Sequence, residues 1–398
     1  MLWQPSLPET YRRLSENEVA ALIESRRAEL GHQLVILGHH YQQDSVVRHA
    51  DFLGDSFKLS QLAAEKVNQV GAKYVIFCGV HFMAESADIL TPDEVTVILP
   101  DLSAGCSMAD MASHDDVVEA WEQIHAVLDE AGESARIIPI TYMNSSAAIK
   151  AFVGEHGGAV CTSSNAQAIL EWAFAGGTQP VTPGERIKIM FFPDQHLGRN
   201  TAAQMGYDIT TQMCLWDPKA PEGLGGLDPD DLLDSEVILW KGHCSVHKLF
   251  RPEHVDQAKA AQPGTTVIVH PECEHDVVQK ADLIGSTEKI IQTIEQAEPG
   301  SYWAIGTEVH LVNRLARAAA ERGVHVRILS ECQCLCTTMF RINPQHLLWV
   351  LDQLAEGNVV NPIRVDPETK KWSLLALDRM LEITARATRT PSREALVD

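Results

Sequence analysis

The chain has 398 residues, 45% hydrophobic and 22% charged, an ordinary globular composition that excludes a disordered, collagen-like or coiled-coil protein. That length suits two or three domains and buries a large core without disulfides. Its 32 Lys and Arg against 54 Asp and Glu give a net charge of −22 with no basic patch, Arg12-Arg13 and Arg26-Arg27 being isolated pairs, so no nucleic-acid partner is expected.

Residues 1–31 read as a helical lead-in, with Ser15-Glu16-Asn17-Glu18 as a capping box. Met1 to Arg13 lacks a basic-then-apolar leader pattern, and no apolar run approaches the ~18 residues of a membrane span, so no membrane contact and a cytoplasmic location are expected. Strand-type apolar runs then alternate with helical periods, which marks βα units and parallel sheets. The first block has a strand at Val35 to Tyr41 and a helix start at Gly54-Asp55-Ser56 before Phe57 to Val67. Strands at Tyr74 to Gly79 and Val97 to Leu99 follow, the latter leading to Cys106. A second block runs through Ile137 to Asn144, Thr162-Ser163-Ser164-Asn165 before Ala166 to Phe174, Ile187 to Pro193, and Val237 to Leu239 leading to Cys244. A third runs through Val267 to Glu272, Gly285-Ser286-Thr287 before Glu288 to Glu295, Tyr302 to Gly306, and Val326 to Leu329 leading to Cys332, Cys334 and Cys336. Beyond Arg341 the period is helical over His346 to Leu354 and Leu377 to Thr388, with an extended turn near Pro362 to Leu375 between them.

The blocks are a threefold repeat. His39 to Cys106 spans 67 residues and His270 to Cys336 spans 66, whereas Tyr142 to Cys244 spans 102. The surplus falls in Tyr207 to Glu236, whose Asp217-Pro218, Ala220-Pro221 and Gly223 to Gly226 read as a surface insertion. The predicted fold is therefore α/β, with three repeats that each form a parallel four-stranded sheet. The predicted boundaries are 1–115, 116–250 with the insertion 207–236, 251–342, and a helical tail 343–398 packed on the repeats.

The first strand of each block ends in polar residues two apart, which share a face on extended backbone: His39 and Tyr41, Tyr142 and Asn144, His270 and Glu272. Each second unit enters its helix with a hydroxyl, where free N–H groups attract carboxylate or phosphate. Parallel sheets bind ligands beyond their carboxyl ends, so three such sheets would aim one cysteine each at a shared cavity. Three converging thiolates suit a metal or a [4Fe–4S] cluster with one open iron acting as a Lewis acid. Cys78, Cys161, Cys214 and Cys273 read instead as small buried hydrophobes. Cys332-x-Cys334-x-Cys336 by itself also suits a zinc knot or a redox pair. Cys336 is preferred for its spacing and the following Thr337-Thr338-Met339.

These residues resemble the quinolinate synthase family from about Val35 to Asn343. The resemblance is carried by Gly38-His39-His40-Tyr41-Gln42, Ala50 to Ser56, Ala104-Gly105-Cys106-Ser107-Met108, Thr141-Tyr142-Met143-Asn144 and Cys161 to Ala166. It continues in Phe192-Pro193-Asp194-Gln195-His196-Leu197-Gly198, Gly242-His243-Cys244-Ser245-Val246-His247, His270-Pro271-Glu272-Cys273, Gly285-Ser286-Thr287 and Cys336-Thr337-Thr338-Met339. It implies three pseudo-threefold-related αβα sandwich domains around a central active site, and a [4Fe–4S] enzyme of NAD biosynthesis that condenses iminoaspartate with dihydroxyacetone phosphate to quinolinate, phosphate and water. Functional coupling to an L-aspartate oxidase or dehydrogenase is implied with it. The insertion at 207–236 and the one-residue cysteine spacing, which keeps Cys334 in view as a ligand, depart from the family pattern.

On this reading Cys106, Cys244 and Cys336 hold the cluster, and Cys332 is dispensable. Ser56, Ser163 (preferred over Ser164) and Thr287 anchor carboxylates and phosphate, with His39, His247 and Lys248 adding donors or charge. Glu272 is the general base, Tyr41 and His270 relay or donate protons, and Tyr142 and Asn144 orient the intermediate. Two other readings share the cysteines: an aconitase-type iron–sulfur hydro-lyase, and a zinc- or cluster-bearing sensor without turnover.

Overall fold

The computed structural model describes residues 4–331 and 334–389, and in it the three apolar blocks become three separate sheets. The first holds β1 (Leu34–His39), β2 (Phe52–Gly54), β3 (Tyr74–Cys78) and β4 (Thr96–Ile98) in the order β2-β1-β3-β4. The second holds β5 (Ala135–Tyr142), β6 (Ala159–Cys161), β7 (Arg186–Phe192), β8 (Met213–Trp216) and β9 (Val237–Trp240) in the order β6-β5-β7-β9-β8. The third holds β10 (Thr265–Val269), β11 (Leu283–Ile284), β12 (Tyr302–Gly306) and β13 (His325–Ile328) in the order β11-β10-β12-β13. Within these three sets every pairing is parallel, and the order second-first-third recurs each time, followed by the fourth strand in the first and third sheets and by β9 and then the edge strand β8 in the second, which thus has five strands rather than the expected four.

Parallel strands covered on both faces read as continuous apolar runs rather than alternating ones. All six residues of β1 are buried accordingly. In the third sheet Val267 and Val269 pack on one side with Phe250, Val255 and Val277. Ile268, between them, packs on the other side with Ile290, Ile294 and Leu311 from the helices Thr287–Glu295 and Val309–Ala320. Period-two alternation thus fastens helices to both faces, and each such aliphatic side chain contributes about 1.5–3 kcal/mol when buried.

The capping box at Ser15 forms as expected: its side chain accepts from the Glu18 N–H, and Glu18 accepts in return from the Ser15 N–H. Two other expectations change. Tyr207 to Glu236 is not all surface loop, because β8 adds a mostly buried parallel edge strand beside β9 and Pro229–Asp234 is helical. Buried Lys188 explains part of that order, since its ammonium donates to the carbonyls of Leu232, Leu233 and Ser235 where this helix ends. In the tail, only β14 (Pro362–Ile363) is extended, pairing antiparallel with β4. The last helix begins at Pro367 rather than Leu377, with proline at a position that needs no N–H donor and Asp366 accepting from the Thr369 N–H. It lies against the helix Ala147–Glu155 so closely that a Cβ on Gly154 would sit 2.0 Å from the Trp372 carbonyl oxygen.

Candidate active site

Carboxyl ends of strands from all three sheets line one small cavity, the end at which parallel sheets bind ligands. His39 and Tyr41 come from the end of β1, Tyr142 and Asn144 from that of β5, and His270 and Glu272 from that of β10. The expected i, i+2 pairing is present for a different reason. Tyr41 and Glu272 lie past their strands in turns, closed by Gln42 N–H to the His39 carbonyl and Cys273 N–H to the His270 carbonyl, each 3.0 Å. The backbone N–H of Tyr41 then donates to His39 Nδ1 (3.1 Å), and that of Glu272 to His270 Nδ1 (3.3 Å). Both imidazoles therefore carry their proton on Nε2. Burial pushes His39 well below its ordinary value and His270 down to about 3, so both are neutral donors.

Cys106, Cys244 and Cys336 line the cavity part-exposed, while Cys78, Cys161, Cys214, Cys273 and Cys334 are buried. Cys332 lies outside the described residues. The three lining cysteines share one local fold. A short 3₁₀ turn starts three residues after each, at Ala109, His247 and Met339. The N–H of the fourth residue closes it onto the cysteine carbonyl, from Asp110 (3.1 Å), Lys248 (3.1 Å) and Phe340 (3.0 Å). The backbone N–H groups of Ala109, His247 and Met339 meet the sulfurs. Burial pushes the Cys106 thiol up to about 12 and raises Cys244 and Cys336 as well. The charge of Cys336 raises both Cys106 and Cys244, which places the three sulfurs within electrostatic reach of one another. Thiols that burial keeps protonated, each facing N–H donors, form a donor set that a metal or iron–sulfur cluster satisfies as thiolates.

Gly242 and Asp194 hold the middle cysteine. A Cβ on Gly242 would sit 2.2 Å from the Pro193 carbonyl oxygen, so no larger residue lets the two loops pass. Asp194 accepts from the Leu197 N–H at 2.7 Å and from the Cys244 N–H at 3.2 Å.

The acid–base side of the cavity is a continuous network. Burial opposes ionisation of Glu272, but the adjacent His247 and His270 imidazoles, with hydrogen bonds from His247 and Tyr142, hold its carboxyl below the usual range. His247 Nδ1 lies 2.7 Å from Glu272 Oε2, and the imidazole stacks on His270 at 4.4 Å between centroids. His247 Nε2 reaches Thr307 Oγ1 at 3.1 Å, Thr307 reaches the Tyr41 hydroxyl at 2.9 Å, and Tyr41 reaches Thr287 Oγ1 at 3.1 Å. Burial, then the Glu272 charge, pushes the Tyr41 and Tyr142 phenols well above their ordinary value. The donor atoms of Cys244, His247 and Glu272 also lie within 4.8 Å of one another, a mixed set able to hold a single metal ion.

The family model for NadA, quinolinate synthetase A protein, matches residues 21–382. The chain belongs to this family. Proteins named quinolinate synthase are similar throughout: that of Acidobacterium capsulatum is 54% identical over 373 residues, covering 94% of this chain and 95% of its own. That of Rhodopirellula baltica is 52% identical over 384 residues, covering 94% and 93%. That of Corynebacterium glutamicum is 49% identical over 389 residues, covering 98% and 93%. Among solved structures, D-lactate dehydrogenase from Escherichia coli matches 90% of this chain at 12% identity and a TM-score of 0.20, which carries no argument.

In this quinolinate synthetase chain the hydroxyls Ser56, Ser163 and Thr287 all line the cavity. None of the three is the N-cap of its helix. Asp55 caps the helix Ser56–Val70, Ser286 caps Thr287–Glu295, and Asn165 takes the cap position of Ala166–Phe174. The hydroxyl one step inward faces the cavity instead, or two steps back in the case of Ser163. Asn144 Oδ1 is buried with no hydrogen-bond partner. His247 stands behind the wall rather than in it, and Lys248 is exposed, outside the lining. Thr307 and Asp194 were missed. Each follows the third strand of its block at the carboxyl edge of a parallel sheet, and that position was the available signal.

Proposed function

We propose that the chain condenses iminoaspartate with dihydroxyacetone phosphate to give quinolinate, using a [4Fe–4S] cluster held by Cys106, Cys244 and Cys336. The observation that carries this reading is the convergence in one cavity of three identically folded cysteine turns with an ionised, fully buried glutamate. Quinolinate, one phosphate and two waters account for every atom of the two reactants, so no electron acceptor is needed.

Ser56, Ser163 and Thr287, at or near their helix starts, bind the phosphate and carboxylates through hydroxyl and backbone donors. Neutral His39 and His270 donate through Nε2–H to substrate oxygens. The unpartnered Asn144 Oδ1 accepts from the substrate nitrogen, and Tyr142 fixes the opposite edge. Glu272 removes protons during the isomerisation and dehydration, and Tyr41 returns them to departing oxygens. Three-cysteine ligation leaves a cluster one iron with an open position, which supplies Lewis acidity toward a substrate oxygen or nitrogen when the cluster is bound.

In this reading three αβα units, residues 1–115, 116–250 and 251–342, surround the cavity with pseudo-threefold symmetry, and 343–398 is an accessory tail. The thrice-repeated strand order and cysteine turn support it. No helix among the described residues is long and apolar enough to cross a membrane. A cytoplasmic location beside an aspartate-oxidising enzyme, which makes the unstable imine, completes the proposal.

The test is anaerobic incubation of iron- and sulfide-reconstituted protein with freshly generated iminoaspartate and dihydroxyacetone phosphate. Quinolinate and inorganic phosphate are expected in equal amounts; phosphate without quinolinate, or neither, overturns the proposal. The Cys244, His247 and Glu272 set favours a second reading, a mononuclear zinc protein without turnover. One zinc per chain and no product would select it.

A further inference from the structure

Two described lysines are buried to 0% exposure, and their charges are met very differently. Lys188 gives its N–H donors to three carbonyls, those of Leu232, Leu233 and Ser235. Lys150, on the helix Ala147–Glu155, gives one, to the carbonyl of Ser145. It joins no ion pair among the described residues. Glu85 is the carboxylate within electrostatic reach of it, but both Glu85 oxygens serve elsewhere. One accepts from the Ala147 N–H at 3.0 Å, and the other lies 3.7 Å from His81 Nδ1. A buried ammonium with a single hydrogen bond is among the costliest groups a protein interior can hold. Lys150 is therefore a charge that the polypeptide alone does not balance.

Its surroundings point to what does. The Lys150 ammonium lies 5.4 Å from the centroid of the Phe82 ring, and Phe82 lines the central cavity together with Cys106. Phe82 and Cys106 also line a second hollow with Glu85 and Ser146, the residue that caps the helix of Lys150. The His81 N–H donates to the Ala104 carbonyl at 2.9 Å, which ties the start of the Phe82 helix to the Cys106 loop. The ammonium thus stands behind the Phe82 ring, outside the cavity lining, with the Cys106 sulfur among the charges that act on it.

We propose that Lys150 is the built-in counter-charge of the three-cysteine site, a buried cation that favours its cluster-bearing, anionic state over the cluster-free one. This rests on the function proposed above, from which it takes only the cluster. Three thiolates around an oxidised [4Fe–4S] core leave a net negative charge, and one-electron reduction adds to it. A fixed cation nearby therefore helps to retain the group and raises its reduction potential. Lys150 touches no reactant in this role and acts only through charge.

Lys150→Met keeps the length of the side chain and removes the charge. In reconstituted protein, anaerobic iron loss to a chelator is expected to quicken about tenfold. The reduction midpoint, read by titration of the visible absorption, is expected to fall by about 59 mV, a tenfold change in a one-electron equilibrium. Cluster-free Lys150→Met should unfold at the same urea concentration as cluster-free wild type or a higher one, because a costly charge is gone. Lys188→Met is the control. It strips three carbonyls of their donor, so it should unfold at a lower concentration while midpoint and iron loss stay at wild-type values. A midpoint shared by Lys150→Met and wild type, iron loss at the wild-type rate, or a cluster-free Lys150→Met destabilised as Lys188→Met is overturns the proposal. Wild-type protein that takes up no cluster overturns both this inference and the proposed function. A cluster indifferent to Lys150 overturns this inference alone, and neither readout requires quinolinate to form.

Discussion

Replacing Glu272 by Gln removes one charge and almost no volume from the centre of the site. Glu272 is 2% exposed and bonded by His247 and Tyr142. The amide oxygen of Gln still accepts from His247, and its NH₂ still meets the Tyr142 oxygen, so packing survives. What disappears is the base. Losing a general base costs about 10²- to 10⁴-fold, or about 2.7–5.4 kcal/mol of barrier. Stability should move little, because the amide also avoids the desolvation that opposes ionisation here, and a midpoint within about 5 °C of wild type is expected. The Glu272 charge raises the Cys244 thiol, so removing it eases thiolate formation, and iron retention should be equal or better. The assay is quinolinate formation beside iron content and the rate of iron loss to a chelator. Full turnover in Glu272→Gln, or bleaching of the protein, refutes the assignment.

Three further outcomes are expected. Cys106→Ala, Cys244→Ala and Cys336→Ala each lose the cluster absorption, whereas Cys334→Ala, which empties a site packed beside Val246 and Phe250, keeps it at a cost in stability; iron and sulfide analysis decides, and retention in any of the first three removes that ligand. Gly242→Ala drives a methyl into the Pro193 carbonyl and should lower stability by about 1–3 kcal/mol while weakening iron binding at Cys244, measured by denaturant unfolding and metal retention; a neutral result removes the close approach from the account. Burial depresses His39, His40 (to about 4), His196 and His270 (both to about 3) below their ordinary 6.5. The unfolded chain therefore binds protons that the native one refuses, and stability falls as pH drops from about 6.5 toward 4, each histidine contributing up to about 1.4 kcal/mol per pH unit. Depressed Glu272 adds to the loss below about pH 4.5. Unfolding free energies flat between pH 7 and 5 would contradict this.

The strands and the site were legible because buried parallel strands write unbroken apolar runs, and because βα units place chemistry at the strand ends. The run Val267-Ile268-Val269 and the polar pair after it gave both the strand and Glu272. Legibility failed where local sequence is ambiguous. Asp55 and Ser56, or Ser286 and Thr287, are equally able caps, and only backbone geometry separates the cap from the residue facing the cavity. Met213–Trp216 is a strand by pairing with β9 inside a Pro- and Gly-rich stretch. Lys248 follows His247 directly, yet the turn that hides one exposes the other. Thr307 has no local signature, since its partners lie 60 and 266 residues away in sequence.

The central claim is that three sulfurs hold an iron cluster with one iron left for the reactants. Mössbauer spectroscopy of iron-57-reconstituted protein, with and without quinolinate, tests it directly. A [4Fe–4S] spectrum in which one iron is distinct and shifts on adding quinolinate is expected. Equivalent irons indifferent to the product, or a chain that takes up zinc and no cluster, would contradict it.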